Sequence, residues 1–137
     1  MVSTFDRMAD VAALHRVSEA YAAFGREHQT FRSITVLRGE LEMNVPADVR
    51  EASNEVARAS VAYVSASAIV VPASGLKGAF YRSLISGSQL LSRSKAPQRA
   101  TKTVDEAFEW ICGLERDDGG SGATAAEALQ VFRPLVS

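Results

Sequence analysis

The 137-residue sequence predicts a small, single-domain α/β sandwich with a mostly parallel sheet and helices packed on it. Three observations carry that prediction. Segments with apolar spacings of three and four alternate with short β-branched runs, giving helix, strand, helix, strand, helix, weak strand, helix, the order of right-handed crossover units. Ile69, Val70 and Val71 form an apolar run without alternation, as in a strand covered on both faces of a parallel sheet. The length suits one core and leaves no room for a second full domain.

Val11, Leu14, Val17, Tyr21 and Phe24 make one helical stripe over about residues 7 to 27, with Ser3 and Asp6 as start signals. Phe31, Ile34, Val36 and Leu37 make a strand that Gly39 ends. Pro46, favourable at a first helical position, opens a second helix with Val49, Ala52, Val56 and Ala59 on one face. The run "SASAIVVP" is the next strand, and its preceding stretch "ASVAYVSAS" is ambiguous. After Pro72, Leu76, Phe80, Leu84 and Leu91 continue a helical face that is expected to fill the core, with Gly87 weakening the middle of the helix. "APQRATK" is a weak strand whose proline and cations suit a sheet edge.

Thr103 and Glu106 form a capping box ahead of Val104, Ala107, Phe108, Ile111 and Leu114, the cleanest amphipathic pattern in the chain. Residues 1–116 are therefore read as the α/β domain. Residues 117–137 are read as a glycine-rich linker and a short tail helix, with a second capping box at Thr124 and Glu127 followed by Leu129, Phe132 and Leu135.

Composition narrows the function classes. A formal charge of −1 gives no global pull toward nucleic acid or an acidic membrane. No apolar stretch approaches the roughly 18 residues of a membrane span, so no stable membrane insertion is expected. The single cysteine, Cys112, permits no internal disulfide and supplies no structural zinc site alone, which fits a reducing cytoplasm.

The chemistry motifs fail one by one. "SGLKGAF" lacks both the spacing and the Ser/Thr of a phosphate-binding P-loop, and Gly75, Gly78 and Gly87 do not reproduce a dinucleotide fingerprint. "PASGL" lacks the upstream glycine of a nucleophile elbow, so Ser74 is either a helix cap or a regulated hydroxyl. His15 and His28 have no metal-ligand spacing and are read as surface residues. Cys112 is read as a small buried hydrophobe, and Glu40 and Glu42 as solvated loop acids. No cofactor, no metal and no catalytic residue is expected.

Charge segregation is more informative. From residue 56 to 104 the chain carries Arg58, Lys77, Arg82, Arg93, Lys95, Arg99 and Lys102 and no acid, whereas acids prevail from Asp105 onward. The cations either cover solvated elements or form a basic face for an acidic partner, shielded by the acidic tail. Trp110 falls off the stripe of its helix and is either an interface anchor or covered by Phe132 and Leu135.

The order "ITVLRG", a proline-started helix, "AIVVPASGLKG" and "TVDEAFEWI" resembles the bacterial STAS-like group related to anti-sigma-factor antagonists. The resemblance spans about residues 9 to 115, and V-V-P-x-S and D-E-A-x-x-W are its most recognisable parts. It implies a regulatory module that binds another protein or itself, including a homodimer through a sheet edge, with no enzymatic activity and no nucleic-acid partner. The better-known members carry a phosphorylatable serine in D-S-x-G; the matching residues here are Ala73, Ser74, Gly75 and Leu76, so the aspartate is missing. The family's N-terminal strand is not evident, leaving residues 1 to 6 or a partner to complete that edge. The expected contacts are Ser74 as a phosphorylation candidate and Lys77, Arg82, Arg93, Trp110 and Phe132 as interaction residues. The alternative is an apolar small-molecule or lipid carrier with Phe80, Leu84 and Leu91 lining a pocket.

Overall fold

The computed structural model describes residues 1–6, 10–40, 44–91, 96–117 and 130. Within them the chain runs β1 (Val2–Phe5), α1 (Val11–His28), β2 (Phe31–Leu37), α2 (Ala47–Ser60), β3 (Val64–Val70), α3 (Gly75–Leu91), β4 (Gln98–Thr101) and α4 (Val104–Asp117). The four strands form one all-parallel sheet in the order β1-β2-β3-β4. The fold is α/β, as the alternation of patterns predicts.

One sheet face packs on α4. Ile34, Val36, Ala66, Ala68 and Val70 face Ala107, Phe108 and Ile111, with Val2, Val104, Trp110 and Leu114 at the margin. Three alanines in this layer remove bulk between helix and sheet, so α4 lies close to β3. Burying Phe108 and Ile111 there stabilises the fold by about 1.5–3 kcal/mol each. Cys112 is buried on the same helix, as read from the sequence. The opposite face begins at Phe31, which with Val64 receives Tyr21, Val17 and Phe24 of α1. Edge-to-face ring contacts hold this second cluster, with Tyr21 and Phe24 at 5.5 and 4.9 Å from Phe31. α2 packs on α1 and presents mostly solvated side chains.

Helix starts follow capping chemistry. Thr103 Oγ1 accepts from the Glu106 amide at 3.2 Å, as the capping box predicts. The Glu106 carboxylate in turn accepts from the Lys102 amide, one residue before the cap. α1 departs from expectation. It begins at Val11 rather than near residue 7, because the Asp10 carboxylate accepts from the Ala13 amide at 2.7 Å. Ser3, read as a start signal, lies in β1 instead. That strand completes the N-terminal edge from within the chain, its residues Val2 to Phe5 pairing with Ile34 to Leu37.

β3 also differs from a strand covered on both faces. Val64, Ala66, Ala68 and Val70 are buried, while Ser65 is exposed and Ser67 and Ile69 are half-buried. On this strand the face toward α4 is buried throughout and the other face only in part. The linker and tail expected over 117–137 lie outside the described residues, apart from Asp117 and Gln130.

Candidate functional site

The end of β3 and the start of α3 are built from unlike residues. Val71 is fully buried, and its amide donates to the Thr101 carbonyl at 2.9 Å, which ties the exit of β3 to β4. Pro72 offers no amide, and the chain turns through Ala73 and Ser74 into Gly75, whose φ of 71° lies in the left-handed region that glycine occupies without strain.

Two residues one turn apart then set how α3 is rotated about its axis. A Cβ at Gly78 would overlap the Ala73 carbonyl, so the helix approaches the loop through a position that only glycine fills. The Arg82 guanidinium donates from Nη1 to the Val71 carbonyl at 3.0 Å and to the Ala73 carbonyl at 3.1 Å. Both bonds are charge-assisted and satisfy carbonyls that the turn leaves outside the sheet ladder. Tyr81 and Ile85 are half-buried on the same side as this clamp.

The consequence overturns the expected facing of α3. Leu76, Phe80 and Leu84 do not fill the core; they point to solvent, with exposures of 88%, 39% and 52%. They stand one above another at spacings of four, forming an apolar stripe on the outer surface of the helix. Lys77 is exposed beside the stripe, and Phe80 leans edge-on to Tyr81 with ring centroids 6.1 Å apart. Periodicity alone marks a stripe without saying which side faces inward. The signals that would have decided it are Gly78 and Arg82, a glycine and a cation on the opposite side of the same helix.

The sequence-predicted contacts are partly brought together. Ser74 and Lys77 are exposed at the N-terminal end of α3. Pro72, Ala73 and Ser74 lie in the loop between β3 and α3. Arg82 is close by in sequence but is engaged by backbone carbonyls. Trp110 belongs to α4 and is half-buried against the core cluster of that face. Arg93 and Phe132 lie outside the described residues, as does Glu42.

Elsewhere the side chains offer little reactive chemistry. His15 and His28 are exposed, His28 stacking on Phe24 at 4.2 Å. Hydroxyls that sequence reading passed over meet across the sheet: Ser3 with Thr35 at 3.2 Å, and Ser33 with Ser67 at 3.1 Å. Each is matched to another hydroxyl. Among the described residues no group of three or more His, Cys, Asp or Glu side chains converges on a common point. A shallow groove over α2, lined by Ala47, Arg50, Glu51, Asn54 and Arg58, lies along a single helix. No described helix is long and apolar enough to cross a membrane.

Comparison with known proteins adds no identity: no protein family, no characterised protein and no solved structure matches the chain.

Proposed function

We propose that this protein is a non-enzymatic, cytoplasmic interaction module of STAS-like type, regulatory or assembling in role, that engages another protein through the outward face of α3. The observation that carries the reading is the solvated stripe of Leu76, Phe80 and Leu84 on a helix held in that rotation by Gly78 and Arg82. An exposed apolar row of this kind, rimmed by polar residues, marks an association surface. Lys77 beside it, in a stretch free of acids from residue 56 to 104, favours a partner with acidic residues around an apolar anchor.

The helix face carries the reading better than a sheet edge does. β1 and β4 are four residues each, and β4 presents exposed Arg99, which opposes strand addition. A carrier role for an apolar ligand has less support, because Phe80 and Leu84 are exposed to solvent. Ser74 stands exposed where a phosphate would meet the α3 N-terminus and Lys77, which suits it to control of the same face.

A photo-crosslinking side chain placed at Leu76, with a second placed at Asn54 on α2 as control, tests the reading in native extract. Defined protein adducts from position 76 and none from position 54 are expected. No adduct from position 76 overturns it.

A further inference from the structure

We infer that the outward face of α3 pairs with the same face of a second copy of this chain across a two-fold axis at Phe80, in a weak and reversible dimer that an outside partner must displace. The inference rests on the interaction reading above and names the first occupant of that face.

The face has the relief that self-pairing needs. Leu76, Phe80 and Leu84 form a raised row, and beside it Gly75, Ala79, Ser83 and Gly87 form a second row at the same spacing of four. Gly75, Ala79 and Ser83 are exposed and Gly87 is half-buried, and a Cβ added at Gly87 meets no described atom within 4 Å. The second row is therefore a shallow trough open to solvent. Helices cross most often by laying a ridge of residues four apart into the groove beside the matching ridge of the other helix. One helix here carries both parts. A two-fold contact sets the patch against itself, so ridge meets trough twice, and the small side chains of the trough let the helix axes approach. With Phe80 at an antiparallel axis, Leu76 of each copy faces Leu84 of the other.

Charge points the same way. α3 contains no acid, and of its two cations Arg82 turns inward to the carbonyls of Val71 and Ala73, leaving Lys77 as the exposed charge of the helix. An uncharged centre is what pairing of like with like requires, because a charge at the axis meets its own copy. The two-fold sends the two Lys77 side chains to opposite ends of the contact, their backbones about 9 Å apart along the helices. That is roughly one Debye length at physiological salt, so their repulsion is small. The second copy offers no acid to Lys77, and an outside partner that does so competes for the face through that contact.

Area sets the strength. Three apolar side chains and a strip of small ones fall short of the roughly 800 Å² per partner that a standard interface buries, which makes this a dimer that dissociates on dilution.

The test uses the full-length chain in sedimentation velocity across the micromolar to millimolar range, together with p-benzoylphenylalanine in place of Leu76 in an equal mixture of isotope-labelled and unlabelled copies. The expected result is a mass that rises from one chain to two with concentration, and a crosslink between labelled and unlabelled copies that lands on residues 80–87. Phe80→Glu is expected to weaken dimerisation about thirtyfold or more, the loss of a hot-spot side chain. Ser83→Gln fills the trough while leaving the apolar row intact, and is expected to weaken it about tenfold through overpacking. A chain that stays monomeric across the range overturns the inference, as does a dimer that Phe80→Glu leaves unchanged or whose crosslinks from position 76 miss α3 of the other copy. If native extract then still gives an adduct with another protein, the interaction reading stands alone; if it gives none, both fall.

Discussion

One guanidinium nitrogen of Arg82 lies 3.1 Å from the Ala73 carbonyl, the same carbonyl that a Cβ on Gly78 would overlap. A charge-assisted bond and a missing side chain thus converge on one oxygen, and together they decide which side of α3 meets the sheet and which meets solvent.

Removing the clamp exposes its contribution. Arg82→Met leaves the carbonyls of Val71 and Ala73 without their donor, and a loss of about 1–3 kcal/mol in chemical denaturation is expected. Arg82→Lys recovers part of that loss, because an ammonium can reach one carbonyl but lacks the fork geometry. An unchanged midpoint for Arg82→Met would sink the clamp.

Two glycines of the same helix respond in opposite directions. Gly87 has no atom within 4 Å of an added Cβ, so Gly87→Ala is expected to stabilise by about 0.5–1 kcal/mol through helix propensity. Gly78→Ala gains the same propensity yet drives its methyl group into the Ala73 carbonyl, and net destabilisation by about 1–3 kcal/mol is expected. Thermal unfolding of the two variants reads the difference in sign.

Two phenylalanines test the facing of the helices. Phe108 is buried at 4% exposure on α4, and Phe108→Ala is expected to cost about 3–5 kcal/mol. Phe80→Glu, on the outward stripe, is expected to change stability by less than about 0.5 kcal/mol while abolishing crosslinks from position 76. Comparable losses of stability in both variants would show that Phe80 is a core residue after all.

The N-terminal amine gives a pH dependence. In the chain that begins at Met1, the ammonium donates to the Arg32 carbonyl at 2.7 Å, and burial lowers its pKa below the ordinary 8.0. The unfolded chain then binds the proton more tightly than the folded one, so stability is full above pH 8.0 and falls as pH drops through the lowered value. Denaturation midpoints measured from mildly acidic to alkaline pH should show that slope, and acetylation of the amine should flatten it.

Local signals were legible where the physics is local. The Thr103–Glu106 box specified the start of α4, and its apolar spacing specified the face that meets the sheet, because the other side carries Asp105 and Glu109 and no competing apolar row. β1 was hardly legible, because a four-residue strand carries little periodicity and is defined by its pairing with β2. The site was legible only as a segment. Ser74, Lys77 and Arg82 mark the junction in the sequence, but the spacing of Leu76, Phe80 and Leu84 by itself predicts an inward face, because an apolar stripe usually meets the core.

The sequence by itself determined the α/β class, the helix at residues 104–117 and the burial of Cys112, since these follow from periodicity and capping within a few residues. Only the tertiary structure decided that α3 turns Leu76, Phe80 and Leu84 to solvent. The reason is that α3 is apolar on more than one side, so hydrophobic burial alone does not choose its rotation; the close approach at Gly78 and the two carbonyls held by Arg82 do.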